Sequence, residues 1–167
     1  MSIDNITQVT LWIHVPLVTA WIGLVMFDLY AMLAPGLEAA QRARLLTWSR
    51  PFVVVAIPII IATGIWQTIH NPLGDLNSFS ALTALREKTS YGSMLFWKHG
   101  FVIATFALTI YARFFLAPRL ILATDAFSLE GIGTVGLQRS ILWVSLANAA
   151  MCLGALMLAT RMIWLLH

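Results

Sequence analysis

Residues 11–33, LWIHVPLVTAWIGLVMFDLYAML, form an apolar run long enough to cross a bilayer, with one imidazole, His14, near its start. A spanning helix needs roughly 20 such residues. A titratable side chain inside hydrocarbon is costly, so His14 is a functional-site candidate by position alone.

Three more runs of similar length follow. The spans are placed at about 9–33, 51–69, 94–116 and 140–166, which predicts an all-α integral-membrane four-helix bundle in one domain. Composition agrees. Of 167 residues, 60% are hydrophobic and 10% charged, and the mean hydropathy is +0.85, so a soluble surface cannot be built. The N-terminal MSIDNITQVT has no basic stretch and no small-residue cleavage site, so the first run is read as a mature span. The single Cys152 excludes an intramolecular disulfide. The net charge of +3 is spread without a basic cluster, which excludes nucleic acid as a partner.

Punctuation refines the spans. Pro51 suits a first helical position, Pro58 is expected to kink the second span, and Gly64 to allow close packing. Pro118 is expected to stop the third. In the fourth, Ala150 and Gly154 form a small-xxx-small pair of the kind membrane helix interfaces use, beside Ala147 and Ala155. Residues 35–50 read as a short basic connection. Residues 70–93 read as an outer loop with a short interfacial helix over about 79–88. Residues 120–139 read as a polar connection in which GIGTVG is a linker, since its spacing fits no phosphate loop.

The basic residues set the expected orientation. Arg42, Arg44, Arg50, Arg113, Arg119 and Arg139 fall on one side; Arg86, Lys88, Lys98 and Arg161 fall on the other. The positive-inside rule puts both chain ends on the outer, periplasmic side. Trp12, Trp66, Trp97 and Trp164 then lie at the outer boundary and Trp48 and Trp143 near the inner one, as aromatic belts do.

On this topology all four histidines, His14, His70, His99 and His167, lie in the outer half, with His14 and His99 at similar depth. Neutral imidazole ligates copper, zinc and haem iron, and two histidines on facing helices can form an axial pair or half of a metal site. Met94 and Met162 are nearby thioethers of the type that suits Cu(I). His70 and His167 are secondary candidates that read first as surface residues. Cys152 reads as a packing thiol, and Asp28 and Arg113 as a structural ion pair. Nothing in the sequence forms a nucleophile–base set or a hydrolytic carboxylate pair, so catalysis would depend on a bound metal or cofactor.

Four motifs in order resemble the membrane domain of the copper-resistance D (CopD) family: HVPLVTAWIG in the first span, SRPFVVVAIPIIIATGIWQ in the second, TSYGSMLFWKHGFVIATFALTIYARFFLAPRL across the third, and LQRSILW at the entry to the fourth. The resemblance implies a four-helix domain of a bacterial inner membrane that handles copper, with His14 as the carried-over ligand. His99, directly after Lys98, departs from the family pattern, which usually has an apolar residue there. A looser likeness is to HemJ-like protoporphyrinogen oxidases, four-span proteins that bind haem b and use a first-span histidine. Three functions are therefore expected in turn. The first is copper handling through His14, His99 and Met94, without enzymatic activity: copper is bound from outside and passed inward or to a partner, with a periplasmic copper carrier among the expected partners. The second is a b-type haem oxidoreductase with His14 and His99 as axial ligands and a redox partner. The third is a cofactor-free subunit of a homo- or hetero-oligomeric membrane complex.

Overall fold

Apolar side chains lie all round the first helix, α1 (Ile3–Leu33): Trp21 and Val25 are buried, while Trp12, Val15 and Phe27 are exposed. A soluble amphipathic helix keeps its outer face polar, whereas a helix apolar on every face needs an apolar solvent. The computed structural model describes residues 3–70, 76–126 and 132–164. It is helical throughout, and four helices are long and apolar enough to cross a membrane: Ile3–Leu33, Arg50–Ile69, Ser90–Asp125 and Thr134–Trp164.

At one end of the bundle, Gly36 turns the chain with φ +85, a value that glycine adopts without a Cβ penalty. It leads into α2 (Ala39–Trp48), a helix within the stretch expected to be a plain connection. Only Ser49 separates α2 from α3 (Arg50–Ile69), which has Pro51 in its first turn and runs on through Pro58. At the opposite end α4 (Phe79–Lys88) fills the stretch expected to hold a short helix, capped by Ser78. Thr89 ends α4 and caps α5 (Ser90–Ile110) through its hydroxyl on the Gly92 amide, 2.9 Å. A Cβ on Gly92 would run into the Leu85 carbonyl, so the α4–α5 corner needs glycine there.

Two expectations are corrected. Pro118 does not stop the third span. A π-helical segment (Tyr111–Leu116) follows α5 and passes directly into α6 (Ala117–Ala126), with Pro118 at the second position of α6. The Ala117 amide bonds Ala112 rather than Arg113, and Pro118 has no amide to offer, so the Arg113 carbonyl is released from the helix ladder. The Arg50 side chain takes it over, with Nε at 3.0 Å and Nη2 at 2.6 Å. The proline is tolerated because its missing donor has been replaced from a neighbouring helix. Nor is GIGTVG a linker: α7 (Ile132–Trp164) covers all of it but Gly131. Burial of Ile141, with Leu137 and Leu142, against Leu116 and Leu120 outweighs the cost of about 1 kcal/mol per helical glycine.

In the bundle α5 packs along α7, α1 along both α3 and α7, and α2 along α6. The backbones of α3 and α5 do not run side by side. The interior is layered. Trp21, Val53, Ala56, Ile57, Ile60, Phe106, Ala149 and Cys152 form the central apolar layer, with Trp21 and Phe106 edge-to-face at 5.0 Å. Cys152 is thus a packing thiol. On α7, Gly154 lies against the Phe101 ring, whereas Ala150 is exposed, so only half of the expected small-residue pair meets another helix of the chain.

Candidate functional site

The His14 ring lies against α3. Its Nδ1 is 2.8 Å from Thr63 Oγ1, and its Cε1 would be 3.3 Å from a Cβ on Gly64. Thr63 Oγ1 itself donates to the Ile59 carbonyl, 2.7 Å, back along its own helix. With its one proton used there, the hydroxyl must accept from His14, which assigns Nδ1–H and leaves the lone pair on Nε2. A hydrogen bond from one ring nitrogen is what orients a histidine whose other nitrogen ligates a metal.

His99 is held in the same manner from α5. Its Nδ1 donates to the Leu95 carbonyl, 2.7 Å, and its Nε2 is 3.2 Å from Thr68 Oγ1. The single proton of the Thr68 hydroxyl goes either to this nitrogen or to the Gly64 carbonyl, 2.8 Å. The two imidazoles therefore do not bond each other. Both dock on one turn and a half of α3, around Gly64, through the threonines on either side of it.

Two further groups join this layer, and a third lies in the apolar layer next to it. Among the described residues the buried Nε2 of Gln67 has no hydrogen-bond partner, nor has Nε1 of Trp21, two turns along α1 from His14 in the central apolar layer. Lys98 has neither a hydrogen-bond nor an ion-pair partner among the described residues, yet its charge acts on both histidine rings. The orphaned Gln67 donor on α3 and the Lys98 cation next to His99 in the chain suit a ligand that is anionic or rich in acceptors.

The other sequence candidates lie elsewhere. His70 caps α3, bonds the Trp66 carbonyl at 3.0 Å and stacks on the Trp66 ring at 4.1 Å, so it is held locally. Met94 and Met162 share an apolar cluster with Leu76 and Leu95 at the end of the bundle. His167 lies outside the described residues. Among the described residues no group of three or more His, Cys, Asp or Glu side chains could hold a metal ion.

At the far end of the bundle a second polar layer is built on Arg113, which is 0% exposed. Its Nη2 pairs with Asp28 Oδ2 at 2.6 Å, and its Nε donates to Ser49 Oγ at 2.9 Å. The pair expected between Asp28 and Arg113 is present. Asn148 donates to Thr109 Oγ1 at 2.8 Å. Among the described residues Arg113 Nη1, Asp28 Oδ1 and Asn148 Oδ1 have no hydrogen-bond partner.

Sequence reasoning missed Thr63, Thr68 and Gln67. A threonine in an apolar helix ordinarily bonds its own turn, and nothing in the sequence marks the ones that also meet an imidazole on another helix.

Fold and site together define an all-helical bundle of the integral-membrane class, with two oriented histidines in one polar layer and a buried Asp–Arg pair in the other. No family model, no curated protein and no solved structure matches the chain.

Proposed function

We propose that this protein is a b-type haem protein of the membrane, with Nε2 of His14 and Nε2 of His99 as the iron ligands. One observation carries the proposal: both rings are fixed through Nδ1, His14 on Thr63 of α3 and His99 on the Leu95 carbonyl of its own helix, and both lie against one turn and a half of α3. The residues fit the group. Each imidazole keeps Nε2 as its basic nitrogen, and Thr68 retains the Gly64 carbonyl as a partner when His99 gives up its contact. Lys98 and the orphaned Gln67 amide supply positive potential and a donor for propionates. Bound haem supplies one-electron chemistry; the protein orients the ligands and excludes water with the Trp21–Phe106 layer below them. A porphyrin-like or quinone substrate and a redox partner at the histidine end fit this role. So does the likeness to HemJ-like proteins. The basic residues favour placing that end outside a bacterial inner membrane.

Copper handling, as the CopD likeness implies, is the second reading, and the shared cluster of Met94 and Met162 favours it. Two features weigh against it. No group of three or more His, Cys, Asp or Glu side chains gathers among the described residues, and Lys98 repels a bare cation.

The visible spectrum and metal content of freshly purified protein decide between them. A Soret band, lost in His14→Ala and altered in His99→Ala, is expected. Copper at stoichiometric content with no Soret band would replace the haem reading. A protein free of both iron and copper would remove both.

A further inference from the structure

Because α3 and α5 do not pack backbone to backbone, the seam between them stays open to the lipid side as a groove of about 430 Å³. Val53, Val54, Ile57 and Pro58 of α3 form one wall; Ile110, Phe114 and Phe115 form the other. The groove is apolar along its length but ends at a charge. Arg50 stands one turn before Val53 and Val54 on the same face of α3, and its guanidinium lies over the Phe114 ring at 5.2 Å.

That charge is not neutralised. The two bonds of Arg50 go to a main-chain carbonyl, and among the described residues no carboxylate pairs with it and its Nη1 makes no hydrogen bond. The same end of the bundle carries the exposed Arg44, Arg119 and Arg139. A fixed guanidinium at the mouth of an apolar groove, at the level where lipid headgroups begin, is complementary to one molecule type: an anionic lipid whose phosphate meets the cation while its chain fills the groove.

We infer that the α3–α5 groove is a binding site for an anionic phospholipid, its phosphate on Arg50 and one acyl chain along Val54, Ile57 and Phe114. The site is distinct from the histidine layer and stands whatever that layer binds.

The test uses the full chain in phosphatidylcholine vesicles doped with spin-labelled phosphatidylglycerol or spin-labelled phosphatidylcholine. The readout is the fraction of label held motionally restricted at the protein. Phosphatidylglycerol is expected to be retained about fivefold more strongly than phosphatidylcholine. Arg50→Lys should keep most of that preference and Arg50→Gln should remove it. Val54→Trp fills the groove while leaving Arg50 in place, so it tests the site even if Arg50→Gln does not fold; it should remove the preference too. Equal retention of the two lipids by the native chain would overturn the inference. So would a preference that survives Val54→Trp, because it would then come from the scattered surface arginines.

Discussion

Arg50 donates from Nε, 3.0 Å, and Nη2, 2.6 Å, to the main-chain carbonyl of Arg113, sixty-three residues further along the chain. The side chain of Arg113 in turn reaches Asp28 and Ser49, so α1, the α2–α3 joint and the π-helical segment meet at one residue. The carbonyl is free to accept because the π segment shifts the ladder and Pro118 lacks a donor.

Removing Arg50 should therefore orphan a carbonyl. Arg50→Ala is expected to cost about 1–3 kcal/mol, read from unfolding in detergent. Pro118→Ala restores a backbone donor to the same place. The double variant should be more stable than the sum of the two single effects implies, and strict additivity would show that the two residues are not coupled.

Asp28→Ala leaves a guanidinium with no exposed surface and no counter-charge, a loss of about 3–5 kcal/mol. Removing both charges with Asp28→Leu and Arg113→Met should cost clearly less than Asp28→Ala alone, because no unpaired charge is left behind. A thermal melt of the purified variants is the check, and a double variant that is worse than the single would contradict the account.

Thr63→Val removes the acceptor of the His14 Nδ1–H while nearly preserving shape. Affinity for the bound group is expected to fall about 10–100-fold, as when the partner behind a metal-ligating histidine is lost. Thr63→Ser should restore it. A titration of the purified apoprotein with haemin, or with Cu(I) for the copper reading, measures this; equal affinity in Thr63→Val would mean the hydroxyl does not orient the ring.

Two glycines should differ in tolerance. An added Cβ at Gly64 meets only the rim of the His14 ring at 3.3 Å, so Gly64→Ala should shift the ring and perturb ligand binding with little loss of stability. At Gly92 the new carbon meets the Leu85 backbone, which cannot rotate away, and Gly92→Ala should destabilise by about 1–3 kcal/mol. The contrast is read by comparing melting temperature with ligand affinity in each variant.

The four spans were legible because an apolar side chain on every face of a helix is a local property, carried by each stretch independently of its neighbours. The pairing of Asp28 with Arg113 followed for a related reason: opposite charges at similar depth in hydrocarbon have no other partner within reach.

What each histidine touches was not legible. Thr63 and Thr68 acquire their role only when α1 and α5 bring imidazoles to α3, and Gly64 matters only because a ring lies against it. Pro118 and GIGTVG were misread on local grounds. A proline lacking a donor and a glycine-rich run favour helix ends, and only tertiary partners reversed both: the Arg50 guanidinium at the freed carbonyl, and the packing of Ile141 and Leu120 around the start of α7. The sequence by itself thus determined the solvent of this protein, the number of its spans and which ionisable groups lie within them, since these depend on side-chain transfer energies summed over short windows. The tertiary structure decided which of those groups meet, because a hydrogen bond between helices is set by their relative rotation and packing, which no single stretch of the chain encodes.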